Sequence, residues 1–214
     1  MIATHALTLA KLAEHLRDDE IHVWRLAYQP QQRRAPLRKV LGVYLGVDER
    51  HVMLTHGEYG RPALAATHDQ SLGFNWTHSG SHALIAIGRG IAPGIDIERL
   101  RARPRALEIA ARYFSQDEAA VLAALPDSAR TTAFLELWTA KEAVLKALGR
   151  GLAFGLDRLS VARHAGQLTL DRLEGDDVAA WQLQRLRVDE ALIGALAWRG
   201  DPRQIRLGTL ASGV

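Results

Sequence analysis

The stretch that most limits how this chain can fold is a long run of helical spacing near its middle, with Asp127 or Ser128 as its expected N-cap and Gly149 as its stop. Around it the apolar residues fall into short runs of strand length: 21–26, 74–76, 83–87 and 94–97 before it, and 159–161, 168–170, 181–186 and 191–198 after it. Shorter helices are expected over 6–17, where Leu9, Leu12, Ala13 and Leu16 share a face, over 37–45 ending near Gly46, and over 106–113 and 116–124. The polar stretch 28–34 reads as a loop, Gly57-Glu-Tyr-Gly-Arg-Pro62 as a turn, and Ser79-Gly80-Ser81 as the turn of a strand pair. Two segments echo each other, Ala83-Leu-Ile-Ala-Ile-Gly-Arg-Gly90 and Ala191-Leu-Ile-Gly-Ala-Leu-Ala-Trp-Arg-Gly200. The echo favours two related halves, each a small antiparallel sheet with packed helices, although Ala- and Leu-rich strands also look alike without kinship.

Composition narrows the chemistry. Without cysteine the chain can form no disulfide, thiolate zinc site or cysteine nucleophile, and a reducing cytoplasm suits it. Lys11, Glu14, His15 and Arg17 interrupt the apolar residues near the start, which is not the pattern of a secretory signal. No run reaches the roughly 20 apolar residues that span a bilayer, so no membrane partner is expected. The net charge of +3 favours an anionic partner such as a phosphorylated cofactor or an acidic protein. No basic-aromatic module for reading nucleic acid is present.

Four segments could carry chemistry. In Gly94-Ile-Asp-Ile-Glu98, strand alternation turns Ile95 and Ile97 towards a core and Asp96 and Glu98 to the other face. Two adjacent carboxylates repel unless a cation lies between them, and hard oxygen ligands suit Mg²⁺; the same pair also fits a plain exposed strand edge. In Trp138-Thr-Ala-Lys-Glu-Ala-Val-Leu-Lys146, Glu142 and Lys146 lie on one helix face with Trp138 a turn earlier. They form either a site at the rim of a core or an ordinary surface ion pair. In Phe74-Asn-Trp-Thr-His-Ser-Gly80, His78 can donate to a phosphate and Thr77 can add a hydroxyl, or the histidine simply serves its turn. Arg61, on the turn Gly60-Arg-Pro62, is a phosphate clamp or a solvated surface residue.

In chain order these four segments resemble the signature of the Sfp-type 4′-phosphopantetheinyl transferases. Arg112-Tyr-Phe-Ser115 followed by Glu118 is similar to the family's Arg-Phe-Phe-Ser…Glu segment, and Gly149-Arg-Gly-Leu152 to its Gly-x-Gly-Leu stretch. The resemblance runs from near Arg38 to near Val161. It implies an α+β pseudo-dimer with the active site in the cleft between two halves: residues 1–92, supplying coenzyme A phosphate contacts, and residues 93–214, supplying metal ligands and a catalytic helix. It implies Mg²⁺, or Mn²⁺ in its place, held by Asp96, Glu98 and Glu142. Arg61, Thr77, His78, Arg38 and Lys141 would contact coenzyme A. Lys146 would stabilise charge on the transferring phosphoryl group, and Glu142 would also draw the proton from the incoming serine.

The implied reaction moves phosphopantetheine from coenzyme A to a serine of an apo acyl or peptidyl carrier protein and releases 3′,5′-ADP. A cytoplasmic monomer is expected. The carrier would dock on the arginine-rich segment holding Arg99, Arg101, Arg103, Arg105 and Arg112, with the apolar surface around Phe114 and Leu122 as the other possibility. Arginine and threonine stand at positions 61 and 77 where the family usually has lysine and serine. The stretch between Trp24 and Arg38 is shorter than the family's, leaving Arg33, Arg34 and Arg38 as candidates for the adenine end. Two other readings use the same residues: a different metal-dependent phosphoryl enzyme, such as a phosphodiesterase, or a non-catalytic binding relative.

Overall fold

A strand covered on both faces must be apolar throughout, and this accounts for the two echoing segments. The computed structural model describes residues 9–164 and 166–210. In chain order they form α1 (Leu9–Ala13), β1 (Glu20–Ala27), α2 (Ala35–Leu45), β2 (Leu54–His56), β3 (Pro62–Leu64), β4 (Leu72–Ser79), β5 (His82–Arg89), β6 (Gly94–Arg99), α3 (Ala106–Tyr113), α4 (Gln116–Ala124), α5 (Asp127–Leu148), β7 (Leu159–His164), β8 (Gln167–Leu173), β9 (Trp181–Asp189), β10 (Leu192–Arg199) and β11 (Gln204–Thr209). One sheet has the order β11-β1-β5-β4 and another the order β6-β10-β9. The echoing strands β5 and β10 therefore sit inside their sheets, with buried residues from Ala83 to Ile87 and from Leu192 to Trp198.

Strand alternation then stacks the layers. Trp24, Leu26, Ile85 and Ile87 pack against Leu37 and Leu41 of α2. Ile21, Val23, Leu84 and Ala86 leave the opposite face of that sheet and meet Ile95, Ile97, Leu196 and Trp198 of the other one. Beyond it, Ile193, Ala195 and Ala197 pack on Leu135, Val144 and Leu145 of α5, together with residues of α3 and α4. The order is helix, sheet, sheet, helix, an α+β architecture.

The sheets are small and antiparallel, except that β11 runs parallel to β1. The final described strand thus joins the sheet built by the first part of the chain. The connection between β5 and β6 contains residue 92.

Helix α5 stops at Gly149, whose φ of 73° is the left-handed value glycine adopts freely. Its N-cap is Pro126 instead of the expected Asp127 or Ser128; Asp127 lies in the first turn and pairs with Arg130 at 2.6 Å. Ala6, Leu7 and Thr8 of the expected first helix fall outside the described residues, and the helix closes at Ala13. Strands β2, β3 and β11 were not expected.

Candidate active site

Asp96 and Glu98 leave β6 on the face opposite Ile95 and Ile97, as alternation requires, and that face looks at α5. The two elements come unusually close at Gly94, where a Cβ would lie 1.9 Å from the carbonyl of Ala143. Only glycine permits this approach, and it sets Asp96 beside the last turns of α5. Lys146 Nζ donates to Asp96 Oδ1 at 2.7 Å and to the Ile95 carbonyl at 3.1 Å. Asp96 is only 7% exposed, so it forms the floor of the site. Burial raises its pKa above the usual carboxylate range, with Lys146 and Thr77 opposing the shift.

Strand β4 borders the site without pairing to β6 through its backbone. Side chains make the seam: Asn75 Oδ1 accepts from the Ile95 N–H at 3.0 Å, Thr77 Oγ1 donates to Asp96 Oδ1 at 2.9 Å, and Ser79 Oγ donates to Glu98 Oε2 at 2.9 Å. Sequence reasoning missed Asn75 and Ser79. The signal was present, since Asn75, Thr77 and Ser79 recur at the two-residue period of a strand.

Glu142 completes the acidic group. Its pKa is pushed up to about 7, by burial first and then by Asp96 and Glu98, with Lys146 pulling the other way. Arg103 is a second member that sequence reasoning assigned elsewhere. Instead of standing free for docking, its Nη2 donates to Glu98 Oε2 at 2.6 Å, and its Nε is buried without a partner.

The donor chemistry suits a hard divalent cation: Asp96, Glu98 and Glu142 all offer carboxylate oxygens, and the charges of Asp96 and Glu98 add to burial in raising the pKa of Glu142. Among the described residues no three of these groups are already gathered around one point. Lys146 and Arg103 are the cations on Asp96 and Glu98.

Several expected cofactor contacts lie elsewhere. Lys141 is fully buried on another side of α5, where Nζ donates to the carbonyls of Leu156 at 2.8 Å and Leu159 at 2.6 Å and pairs with Glu118 at 2.7 Å. Enclosed this way, it cannot reach a ligand in the site. Glu118 itself closes a capping box with Ser115 and accepts from the Val161 N–H, so the Arg112-Tyr-Phe-Ser115…Glu118 segment is an anchor for α5. Arg61 is not solvated either: its two terminal nitrogens donate to the carbonyls of Lys146, Ala147, Phe74 and Pro93.

His78 and Thr77 point to opposite faces of β4. The exposed His78 ring stacks on Tyr28 with centroids 4.6 Å apart, on the side of the sheet that carries α2. Arg38 is exposed on α2, and nothing brings it to the carboxylates. The site thus unites Thr77, Asp96, Glu98, Glu142 and Lys146. His78 lies on the other face of edge strand β4, and Arg38 is an exposed residue of α2.

Comparison with known proteins identifies the family. A profile of the 4′-phosphopantetheinyl transferase superfamily matches residues 92–197, the part that holds Asp96, Glu98, Glu142 and Lys146. The 4′-phosphopantetheinyl transferase HetI of Nostoc sp. strain PCC 7120 is 34% identical over 200 residues, covering 90% of this chain and 82% of HetI. The 4′-phosphopantetheinyl transferase Sfp of Bacillus subtilis strain 168 is 35% identical over 136 residues, covering 63% of this chain and 58% of Sfp. The crystal structure of Thermotoga maritima holo-acyl-carrier-protein synthase aligns with a TM-score of 0.42 at 19% identity, over 51% of this chain and 62% of that one. With its carboxylates and lysine inside the matched region and a relative of this similarity along most of its length, the chain belongs to the 4′-phosphopantetheinyl transferase family and is a transferase.

Proposed function

We propose that this enzyme transfers the phosphopantetheine arm of coenzyme A to a serine hydroxyl of an apo acyl or peptidyl carrier protein and releases 3′,5′-ADP. The reading is carried by one observation. Asp96, Glu98, Glu142 and Lys146 gather from β6 and α5 beside the Thr77 hydroxyl of edge strand β4. A ligand touching both this group and His78 has to bend around that edge, which suits a long molecule with phosphates at separate places.

Attack on a phosphodiester-like centre calls for alignment and charge neutralisation more than for a covalent intermediate. Asp96, Glu98 and Glu142 would hold Mg²⁺ or Mn²⁺, which supplies neutralisation of the pyrophosphate when bound. Lys146 stabilises the negative charge that grows as the bond to the leaving oxygen breaks. The serine oxygen forms the new bond to phosphorus as the bond to the leaving 3′,5′-ADP oxygen breaks, and the serine proton passes to Glu142. We read residues 1–92 and 93–214 as two related halves with the site at their junction, working as a cytoplasmic monomer. No helix among the described residues is long and apolar enough to cross a membrane.

The test is mass spectrometry of apo carrier proteins incubated with the enzyme, coenzyme A and Mg²⁺. A mass gain equal to phosphopantetheine on one serine, abolished by EDTA, is expected. Hydrolysis of a small molecule with the carriers unmodified would instead identify a phosphodiesterase.

A further inference from the structure

We propose that Arg61 is a positioning residue that sets the geometry of Lys146 and Asp96, a role that rests on the transferase reading above. A helix leaves its last four carbonyls without intrahelical partners. At the end of α5, Gly149 N–H returns to the Lys146 carbonyl at 3.2 Å. Arg61 supplies further donors, Nη1 giving to the carbonyls of Lys146 and Ala147, the second at 2.9 Å. A cation here also opposes the negative end of the helix dipole.

The other terminal nitrogen ties this cap to the rest of the site. Nη2 donates to the Phe74 carbonyl at 3.2 Å and to the Pro93 carbonyl at 2.9 Å. Phe74 precedes Asn75, the first side chain of the seam between β4 and β6. Pro93 precedes Gly94, the point where β6 touches α5. One planar guanidinium therefore joins the three elements that present Thr77, Asp96 and Lys146. Of its five N–H groups, the four terminal ones face these backbone carbonyls, so a phosphate could recruit them only by breaking the joint.

The experiment compares Arg61→Ala and Arg61→Lys with the wild-type chain by amide hydrogen exchange and by steady-state transfer kinetics, well below the unfolding temperature. In Arg61→Ala, exchange over residues 144–149 should quicken about tenfold, and kcat should fall about tenfold while the KM for coenzyme A stays within about twofold. Arg61→Lys, with fewer donors and no planar fork, should lie between the two; it carries the comparison if the alanine variant does not fold. A raised KM with unchanged kcat and unchanged exchange would make Arg61 a cofactor contact and overturn the proposal. So would a lowered melting temperature with unchanged kcat, which marks a purely structural residue. Should the wild-type chain transfer nothing, the proposed function fails by itself. The exchange data still decide whether Arg61 holds the end of α5, and unchanged exchange rejects it.

Discussion

Lys141 and Lys146 stand five residues apart on α5 and live in different chemical worlds. Lys141 is sealed among Glu118, two backbone carbonyls and the ring of Phe114, 5.0 Å from its Nζ. Lys146 is part-exposed and shares Asp96 with Thr77. At about 3.6 residues per turn, five positions rotate a side chain well over a third of the way round the helix, so neighbours in one motif serve different faces. The difference teaches that a basic residue in a phosphate-handling motif can be spent on holding the helix that carries its neighbour.

The comparison is tested most severely at Lys141. Replacing it with alanine leaves Glu118 buried without its cation, a change that costs about 3–5 kcal/mol. We expect a large fall in melting temperature and little change in the KM for coenzyme A of whatever remains folded. An unchanged melting temperature together with a raised KM would break the distinction and return Lys141 to the cofactor.

Lys146→Ala should act mainly on rate. Removing a cation from developing charge should lower kcat by about 10²–10³, while circular dichroism shows the chain still folded, with a smaller fall in melting temperature than Lys141→Ala because the Lys146 side chain is part-exposed. Asp96→Ala should also lose most activity, but its burial changes the expectation for stability. The Lys146 ammonium and Thr77 hydroxyl lose their acceptor, at about 1–3 kcal/mol, so some loss of melting temperature should accompany the loss of rate. Full activity of Asp96→Ala at saturating coenzyme A would remove this carboxylate from the mechanism.

A smaller effect, readable without substrate, comes from Glu142. Its carboxyl holds a proton up to about pH 7 when folded, against an ordinary value of 4.5. Between these values the folded state binds more protons than the unfolded state, so stability falls as pH rises through that window. Below the window the contribution is complete, and above it the slope vanishes. Denaturant titrations of the metal-free protein across this range should show the decline, and Glu142→Gln should flatten it. A wild-type profile as flat as the variant's would mean that Glu142 is solvated.

Much of this was legible in the sequence because it rests on local rules. The two-residue period of Gly94-Ile-Asp-Ile-Glu98 assigned Ile95 and Ile97 to a core and the two acids to the other face, and glycine at 149 marked the end of α5. The remainder depends on packing. Helix α5 is buried around much of its girth, with Phe134, Leu135, Ala140, Val144 and Leu145 all enclosed, so no apolar stripe distinguishes the side facing β6 from the side facing Glu118. Arg61 could not be read as a cap because its acceptors lie far away in the chain, at Phe74, Pro93, Lys146 and Ala147. Strand β11 does alternate Ile205 and Leu207, but it is a largely exposed edge strand whose partner β1 is nearly the whole chain away.

The smallest expected effect concerns the arginines that follow β6, where the same lesson applies on the surface. Five were candidates for docking an acidic carrier. Arg103 is held by Glu98, Arg105 pairs with Glu108 at 2.9 Å, and Arg112 lies 5.2 Å over the ring of Tyr113. Arg99 and Arg101 are exposed, next to the exposed side chain of Leu100 and just beyond Glu98. A carrier bound at this point would bring its serine close to the carboxylates. Attraction between exposed charges steers encounter and fades as salt shortens the screening length to about 8 Å at physiological ionic strength. We therefore expect kcat/KM for the carrier to fall as salt rises, and Arg101→Glu to lower it further while leaving the KM for coenzyme A unchanged. Arg103→Glu is a different experiment, because it sets a third acid beside Glu98 and Glu142 and should reduce kcat itself. Transfer rates that ignore both salt and the charge at position 101 would move docking to the exposed side chains of Tyr113 and Val121, because Phe114 and Leu122, the alternative read from the sequence, are buried in the core.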